Sequence, residues 1–301
     1  TISGATWSTT ALISGCTDQY ADNYNSNATV DDGSCSGYPD NGDYTLNFDG
    51  ANDYVGFSQS NNFDLLDELT IVTTIRPESF HFGAIVDRLP GAADSTGYRL
   101  SVRGGPDESG KIWSSFGNAN SNDAAISDQN GYSLNEWVNI AAVYKNNSYT
   151  KLYINGILVD DVISNRSFNS AISFAIGKTS YNNSEYFNGS IDNISVWNKE
   201  LSSDELLSHS QQLPNNNETN LIALWKFNSG EGDILYDHSG NQNHGTIVGA
   251  SWEEVSAGCM DPLALNYDEF AELDNGSCEY PDNGDYALSF DGLDDYVDIS
   301  S

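Results

Sequence analysis

Short apolar runs separated by turn residues recur through the middle of the chain. Each run is bounded by Gly, Pro, Asn, Asp or Ser and is rich in β-branched and aromatic residues, which is the pattern of β-strands. Asn155-Gly156 joins two of the runs and predicts a tight hairpin, because both turn positions need positive φ. The predicted strands are residues 44–48, 54–57, 69–76, 83–88, 98–103, 111–116, 137–145, 151–154, 157–162, 174–176, 190–197, 221–227 and 246–252.

One short helix interrupts this pattern. Ser202 and Glu205 form the capping-box spacing, in which the hydroxyl accepts from the backbone of Glu205 and the carboxylate reaches back. Leu206 and Leu207 supply a small apolar face, and the helix should end before Pro214. About a dozen strands with one short helix predict an all-β protein, an antiparallel two-sheet jelly-roll sandwich. A β-propeller would show an internal repeat of about 40–50 residues, and the predicted sandwich has no such repeat.

A segment bracketed by two cysteines occurs twice. Residues 15–35 and 258–278 match at more than half of their positions, and both are followed by Tyr-Pro-Asp-Asn-Gly-Asp-Tyr. Self-similarity at a fixed offset indicates tandem repeats, so we expect the chain to be a window of a longer polypeptide. The predicted parts are a closing strand of a preceding repeat (1–7), spacer 1 (14–37), a sandwich (38–252), spacer 2 (257–279) and the opening strands of a next repeat (280–301).

The four cysteines predict two local disulfides, Cys16–Cys35 and Cys259–Cys278. In each copy the cysteines lie 19 residues apart. Neither pair has the C-x-x-C spacing of a zinc site, and no histidine lies near. A disulfide that closes a loop of this size stabilises by about 3 kcal/mol through the unfolded state. Disulfides predict an oxidising compartment, so we expect the protein to be secreted to the extracellular space or cell surface.

Charge excludes several partners. The chain has 11 Lys+Arg against 44 Asp+Glu, a formal charge of −33. Without a basic patch, nucleic acid and anionic membrane surfaces are poor partners. No apolar run approaches the roughly 18 residues that span a bilayer, which predicts no membrane insertion of this segment. The acidity has two compatible interpretations, solubility through mutual repulsion and binding of divalent cations.

Several motifs resemble a known family. The motifs are residues 46–50 with 53–55, 137–141 with 151–156, 188–198 with 201–202, and 237–246, in order over about residues 38–252. They are similar to laminin-G-like, concanavalin-A-like domains of secreted bacterial proteins. The spacers resemble acidic spacers of large bacterial cell-surface proteins. The resemblance implies a β-sandwich, frequently with bound Ca²⁺, used for adhesion or glycan binding; the fold itself fixes no ligand.

Two sets of oxygen-bearing side chains are candidate calcium ligands, since Ca²⁺ prefers six to eight oxygens from loops. The alternative for the spacers is a turn whose Asp and Asn side chains bond their own backbone. Neither spacer has the EF-hand pattern. The sandwich set is Asp53, Asp192, Asp237 and Asn243, with a turn residue as the alternative for Asp237 and an ion pair with a lysine for Asp192. The spacer set is Asp18, Asn23, Asp31, Asp261, Asn266 and Asp274.

Aromatic side chains are weaker candidates for a ligand-binding face. Trp113, Tyr181 and Tyr186 lie in or beside loop-like stretches. Aromatic rings hold sugars by stacking on their apolar faces, while ordinary packing is the alternative at each position. Catalysis is not predicted, because the chain has no E-x-D-x-x-E strand, no G-x-S-x-G elbow and no H-x-x-x-H zinc pattern.

The sequence therefore predicts a non-catalytic segment of a long extracellular fibre or adhesin stalk. Calcium would stabilise it, and neighbouring repeats of the same chain would be its partners. The alternative is a set of lectin-like carbohydrate-binding modules that act on surface glycans through avidity.

Overall fold

The computed structural model describes most of the chain as two compact units, Thr1–Ser256 and Ala257–Ser301. The described residues are 12–58, 61–64, 67–89, 97–105, 107–116, 124–128, 130–164, 166, 168, 174–180, 184–281 and 296. The predicted end strands, residues 1–7 and most of 280–301, lie outside them.

Strands dominate the described residues. A 3-10 turn covers Asn61–Phe63, and one α-helix, α1, covers Ser203–His209. The strands are β1 Tyr44–Asp49, β2 Tyr54–Gly56, β3 Glu68–Pro77, β4 Gly83–Arg88, β5 Tyr98–Val102, β6 Ile112–Phe116, β7 Ala124–Ile126, β8 Val138–Lys145, β9 Tyr149–Ile154, β10 Ile157–Ile163, β11 Ala175–Ile176, β12 Asn188–Trp197, β13 Leu221–Trp225, β14 Ile234–Leu235, β15 Gly245–Val248, β16 Ser251–Glu254, β17 Ala257–Gly258 and β18 Leu273–Asp274.

Two antiparallel sheets form a jelly-roll sandwich, as predicted. The first sheet has the order β10-β9-β8-β3-β12-β1-β16, and β13 also pairs with β12. The second sheet has the order β14-β15-β2-β11-β4-β5-β6-β7. Several neighbouring strands lie far apart in sequence, such as β3 with β12 and β2 with β11, which is typical of a jelly roll.

The core lies between the sheets and is rich in aromatic side chains. Phe63 and Phe174 stack with ring centroids 4.2 Å apart, and Phe57 and Trp225 pack around them. Aromatic packing of this kind adds about 0.5–1.5 kcal/mol per pair beyond the buried area. A second apolar cluster lies on the other face of the first sheet, where Leu206 of α1 contributes.

Local signals were confirmed where they were strong. The hairpin turn between β9 and β10 has Asn155 at φ 49° and Gly156 at φ 77°, both positive. The capping box at α1 is present, with Ser202 accepting from Glu205 N and the Glu205 carboxylate accepting from Ser202 N at 2.7 Å. The predicted strand 83–88 has the bounds of β4.

The closing segment corrects one prediction. Residues 246–252 are two strands instead of one: β15 pairs with β2 in the second sheet, and β16 pairs with β1 in the first. The chain changes sheets at Gly249, which has φ +85°. Apolar runs alone do not reveal such a break, because both halves are β-strands.

Four strands were missed. β7, β14, β17 and β18 have two or three residues each. Segments this short carry no readable alternation, so pairing with neighbouring strands decides whether they are strands at all.

Both predicted disulfides, Cys16–Cys35 and Cys259–Cys278, are present. In the second unit, β17 and β18 pair in parallel within spacer 2. Among the described residues, no helix is long and apolar enough to cross a bilayer.

Candidate functional site

The outward face of the second sheet carries polar and charged side chains that are nevertheless buried. Strand β5 alternates, so that Leu100 lies in the core between the sheets and Arg99 and Ser101 point away from it. On the neighbouring strands, Asp87 pairs opposite Arg99, and Trp113 pairs opposite Ser101. This face of β4, β5 and β6 is the candidate site.

A buried ion pair anchors this face. Arg99 Nε donates to Asp87 Oδ2 at 2.6 Å. Asp87 Oδ1 also accepts from Ser180 N at 2.8 Å and from Leu89 N at 3.1 Å. Glu185 Oε2 lies 3.1 Å from Arg99 Nη1, an ionic contact without hydrogen-bond alignment. Burial raises the pKa of the Glu185 carboxyl, and Arg99 opposes the rise. The Asp87 carboxylate is therefore fully used in holding the site together.

A second arginine is held between two aromatic rings. Arg103 Cζ lies 3.8 Å from the Trp113 ring centroid and 4.2 Å from that of Phe82. Cation–π contacts of this kind contribute about 0.5–2 kcal/mol. Burial lowers the pKa of the Arg103 guanidinium to about 10, so it stays charged at neutral pH. Arg103 Nε, Trp113 Nε1 and Ser101 Oγ are buried without a hydrogen-bond partner in the described part of the chain.

We call Phe82, Arg99, Arg103, Trp113 and Glu185 the arginine–aromatic cluster. Phe82, Arg103 and Glu185 are half-buried, so solvent reaches its rim. Two of only 11 basic residues in a chain of charge −33 are placed here. The cluster combines ring faces, planar guanidinium groups and a carboxylate, which together can stack on an apolar surface and bond to polar groups.

The predicted aromatic residues lie partly in this cluster. Trp113 belongs to it, although it is in a strand and only 7% exposed instead of forming an open platform. Tyr186 follows Glu185 in the chain, and its carbonyl bonds to His81 Nε2 at 2.7 Å. Tyr181 lies outside the described residues. Sequence reasoning missed the two arginines, although the alternation of residues 98–103 places them on one face.

Asp237 and Asn243 lie in one hydrogen-bond network of the loop that leads into β15. Asp237 accepts from the backbone N–H groups of Leu224, Ser239 and Asn243, each at 2.9 Å. Asn243 Oδ1 accepts from Asn62 Nδ2 at 2.6 Å. Burial raises the pKa of Asp237, opposed by these backbone donors. Both side chains thus shape the loop.

Asp53 and Asp192 lie in two other networks. Asp53 accepts from Asp49 N at 2.9 Å and from Asn52 Nδ2 at 3.2 Å. Asp192 Oδ2 accepts from Asn193 Nδ2 at 2.6 Å, while its Oδ1 is buried without a partner in the described part of the chain. Burial raises the pKa of Asp192 well above its usual range.

The hydrogen bonds of the four sandwich residues therefore fall into three separate networks. Within the ranges that the structure describes, no group of three or more His, Cys, Asp or Glu side chains is arranged to hold a metal ion. Calcium binding stays a prediction. Among the four residues, Asp192 has a carboxylate oxygen, Oδ1, that no described group bonds.

In the spacers, the matched aspartates close turns. Asp18 Oδ1 accepts from Tyr20 N at 3.0 Å, and Asp261 Oδ1 accepts from Leu263 N at 2.8 Å. Both are bonds from a side chain to the backbone two residues on, as in an Asx turn.

The matched asparagines tie the two sides of each spacer together. The Asn23 side chain bonds to two backbone groups near the second cysteine at 2.6 and 2.9 Å, and Asn266 does the same at 2.7 and 2.8 Å. Asp274 Oδ1 accepts a backbone N–H at 3.1 Å, and Asp31 Oδ1 lies 3.5 Å from Cys35 Sγ. These contacts fit the turn-forming alternative, and the calcium prediction for the spacers remains untested.

A protein-family model matches residues 49–207, more than half of the chain. Its description is Concanavalin A-like lectin/glucanases superfamily, Laminin_G_3. The chain belongs to this family. The laminin-G-like, concanavalin-A-like fold predicted from the sequence is thereby confirmed, and the whole arginine–aromatic cluster lies within the matched laminin-G-like residues. No curated protein matches the chain.

Several solved structures are similar to this chain. A proposed carbohydrate-binding protein from Bacteroides ovatus has a TM-score of 0.56 at 16% identity, covering 71% of this chain and 60% of its own. The CBM40 of the Ruminococcus gnavus IT-sialidase, bound to α2,3 sialyllactose, has a TM-score of 0.40 at 17% identity, covering 55% and 96%. A heptameric SAP-like pentraxin from Limulus polyphemus has 0.44 at 18%, covering 59% and 84%. The chain spans 60% of the Bacteroides protein, and these likenesses concern the fold alone.

Proposed function

We propose that the sandwich is a non-catalytic glycan-binding module whose ligand binds at the arginine–aromatic cluster. The observation that carries the proposal is Arg103 held between Trp113 and Phe82, with Arg103 Nε and Trp113 Nε1 unpartnered in the described part of the chain. A buried donor without a partner costs about 1–3 kcal/mol. A sugar at the half-buried rim of the cluster would recover that cost when Arg103 turns from Trp113 toward a sugar hydroxyl, and the half-buried Phe82 ring would pack on the apolar side of the sugar.

The comparisons support this proposal at the level of the family. Lectins and glucanases both belong to the superfamily that the chain matches, and the Bacteroides ovatus protein, which shares the fold, is itself proposed to bind carbohydrate. Neither names a sugar for this chain. The lectin-like alternative is therefore better supported than the fibre.

The state of the carboxylates supports a non-catalytic role. Glycoside hydrolysis uses two carboxyl groups that face the scissile bond. Asp87 is fully buried and uses both oxygens on Arg99, Leu89 and Ser180. Of the five cluster residues, Glu185 is then the one carboxyl at the rim, and Glu108 acts on Arg103 from outside the cluster.

A glycan array tests the proposal, followed by calorimetry with the oligosaccharides that bind. Arg103→Ala should weaken binding about tenfold or more, which corresponds to about 1.4 kcal/mol. The matched control is Arg76→Ala, because Arg76 lies over Trp137 at 5.2 Å on the first sheet, away from the cluster. A blank array across host, algal and bacterial glycans, or equal loss in both folded variants, would contradict the proposal.

The two spacers support a second function. Their matched turns and disulfides suit a repeated connector, so we propose that such sandwiches are arranged along an extracellular adhesin-type fibre with neighbouring repeats as partners. Disulfides are consistent with an extracellular location. Electron microscopy of the natural protein should show an extended rod, and a compact particle would contradict this.

Calcium remains part of the fibre proposal. Its supporting observation is the unpartnered, buried Oδ1 of Asp192 among the described residues. The other sandwich candidates are already hydrogen bonded, so a chelator experiment centred on Asp192 is the informative one.

A further inference from the structure

Spacer 1 is seated on the sandwich that follows it in the chain. Spacer 1 contacts the closing loop of the sandwich, residues 236–244. Asp18 Oδ2 lies 2.6 Å from His244 Nε2, and Tyr38 OH donates to the same oxygen at 2.8 Å. Gln242 Nε2 also reaches Thr17 Oγ1 at 3.4 Å. The first spacer and the sandwich are thus joined by specific polar contacts.

Aromatic rings complete this contact. Tyr38 stacks on Tyr236 with centroids 6.3 Å apart and meets His244 edge-on at 5.2 Å. Tyr20 packs edge-on against both Tyr236 and His244, at 5.8 and 5.4 Å. Tyr38 also meets His238 at 5.6 Å. As a result Tyr38 is only 7% exposed.

Spacer 2 has the same internal structure. Asp268 N donates to Cys259 O at 2.9 Å, as Asn25 N donates to Cys16 O at 2.9 Å. Tyr280 OH donates to Asp261 Oδ2 at 2.6 Å, which repeats the bond from Tyr38 to Asp18. The tyrosine–aspartate pair that meets the closing loop in spacer 1 is therefore already assembled in spacer 2.

The matching face of spacer 2 is exposed. Tyr280 is 56% exposed, against 7% for Tyr38, and Leu263 at the position of Tyr20 is 82% exposed. Met260, at the position of Thr17, is 45% exposed. Among the described residues, no histidine bonds to Asp261. Exposed apolar side chains grouped around a preformed polar pair are typical of a surface that another molecule covers.

We propose that this face of spacer 2, formed by Met260, Asp261, Leu263 and Tyr280, is a docking surface for the closing loop of a second copy of the sandwich. The seated spacer 1 shows the geometry: Asp261 would bond to His244 of the second copy, and Leu263 and Tyr280 would pack on Tyr236. In a series of repeats, each spacer is then held by the sandwich that follows it. The junction is a fixed contact and not a loose linker.

The experiment adds that second sandwich in the chain's own frame. Joining residues 1–279 to residues 38–256 keeps the Tyr-Pro-Asp-Asn-Gly-Asp-Tyr sequence that follows spacer 2, and spacer 2 then occurs once in the extended chain. Hydrogen exchange is measured on the peptide 258–278, which is unique to spacer 2. Docking adds to the free energy of local opening, so exchange should slow about tenfold or more relative to the 301-residue chain.

Three variants of the extended chain make the result specific. Asp261→Ala, or His244→Ala in the added sandwich, should return exchange of spacer 2 to the rate in the 301-residue chain. Glu269→Ala removes the same charge from an exposed position of spacer 2 and should change nothing. Peptides of spacer 1, and peptides of the sandwich sequence that both copies share, report on folding in every variant. Unchanged exchange of spacer 2 in the extended chain, or equal effects of Asp261→Ala and Glu269→Ala, would overturn the proposal.

Discussion

Asp18 and His244 lie 226 positions apart in the sequence and meet at 2.6 Å. His244 Nδ1 accepts from Asp237 N at 2.9 Å, so the neutral ring carries its proton on Nε2 and donates it to Asp18 Oδ2. Because Tyr38 donates to the same oxygen, one carboxylate oxygen links spacer 1 to the closing loop.

Acid should therefore undock spacer 1. Burial raises the pKa of Asp18, but hydrogen bonds from Tyr20, His244 and Tyr38 outweigh burial and hold the pKa below its usual value. A carboxyl with a lowered folded pKa stabilises the contact above its unfolded pKa of about 3.9 and loses that effect as pH falls through the folded value. NMR signals of the Tyr38 ring should shift toward solvent-exposed values below about pH 4.

The control for acid undocking is Asp18→Asn. The amide has no acidic proton to gain, so the acid transition of Tyr38 should disappear while docking at neutral pH weakens. A transition that persists in Asp18→Asn would assign the pH dependence to another group.

Arg103→Lys should weaken glycan binding while the fold is kept. Lysine preserves the charge but lacks the planar guanidinium that lies between Trp113 and Phe82. We expect an affinity loss of about tenfold with a melting temperature within a few degrees of the wild type. Calorimetry with a glycan found on the array measures the first, and scanning calorimetry the second. Full affinity in Arg103→Lys would show that charge alone recruits the ligand.

Gly249→Ala should destabilise the sandwich more than Gly232→Ala. Both glycines have positive φ, +85° and +78°. A Cβ at Gly249 would lie 2.0 Å from Asp53 Oδ1, whereas a Cβ at Gly232 meets nothing within 4 Å. The backbone cost alone is about 1 kcal/mol, and the clash adds about 1–3 kcal/mol at Gly249. Urea denaturation compares the two, and equal losses would contradict the role of Gly249 at the change of sheets.

Asp192→Asn should stabilise the calcium-free protein at neutral pH. Burial raises the folded pKa of Asp192, so keeping the group charged opposes folding, and stability should rise as pH falls toward that pKa. Asparagine removes the charge and keeps a polar group beside Asn193. We expect a gain of about 1–3 kcal/mol in EDTA, measured by urea denaturation.

The same variant tests calcium. If Asp192 is a ligand, millimolar Ca²⁺ should raise the melting temperature of the wild type and leave Asp192→Asn unchanged. Equal shifts in both proteins would place the ion elsewhere, and no shift in either would end the calcium prediction for the sandwich.

The sequence correctly predicted the features that depend on interactions between residues close together in the chain. The Asn155-Gly156 turn, the Ser202–Glu205 capping box and the two disulfides each depend on residues close in the chain, and each was confirmed. The alternation of residues 98–103 also contained the face that Arg99 and Arg103 share. Alternation does not show which distant strand or loop packs against a given side chain.

The candidate site depended on such distant partners. Trp113 is opposite Ser101 and close to Arg103 because β5 and β6 pair, and Asp237 is surrounded by backbone donors because the closing loop folds back on β13. Composition suggested calcium ligands at Asp53, Asp192 and Asp237, but a list of oxygens does not specify where they meet. The positions of these side chains depend on how the sheets pack.

The sequence by itself determined that the chain is an all-β sandwich with two local disulfides, since strand periodicity, turn chemistry and close cysteine pairs act over a few residues. Tertiary structure alone decided that Arg103 lies between two rings, that the closing segment changes sheets at Gly249, and that Asp18 meets His244. Those arrangements arise from the simultaneous packing of distant segments, and the free energy of such packing is not encoded in any one of them.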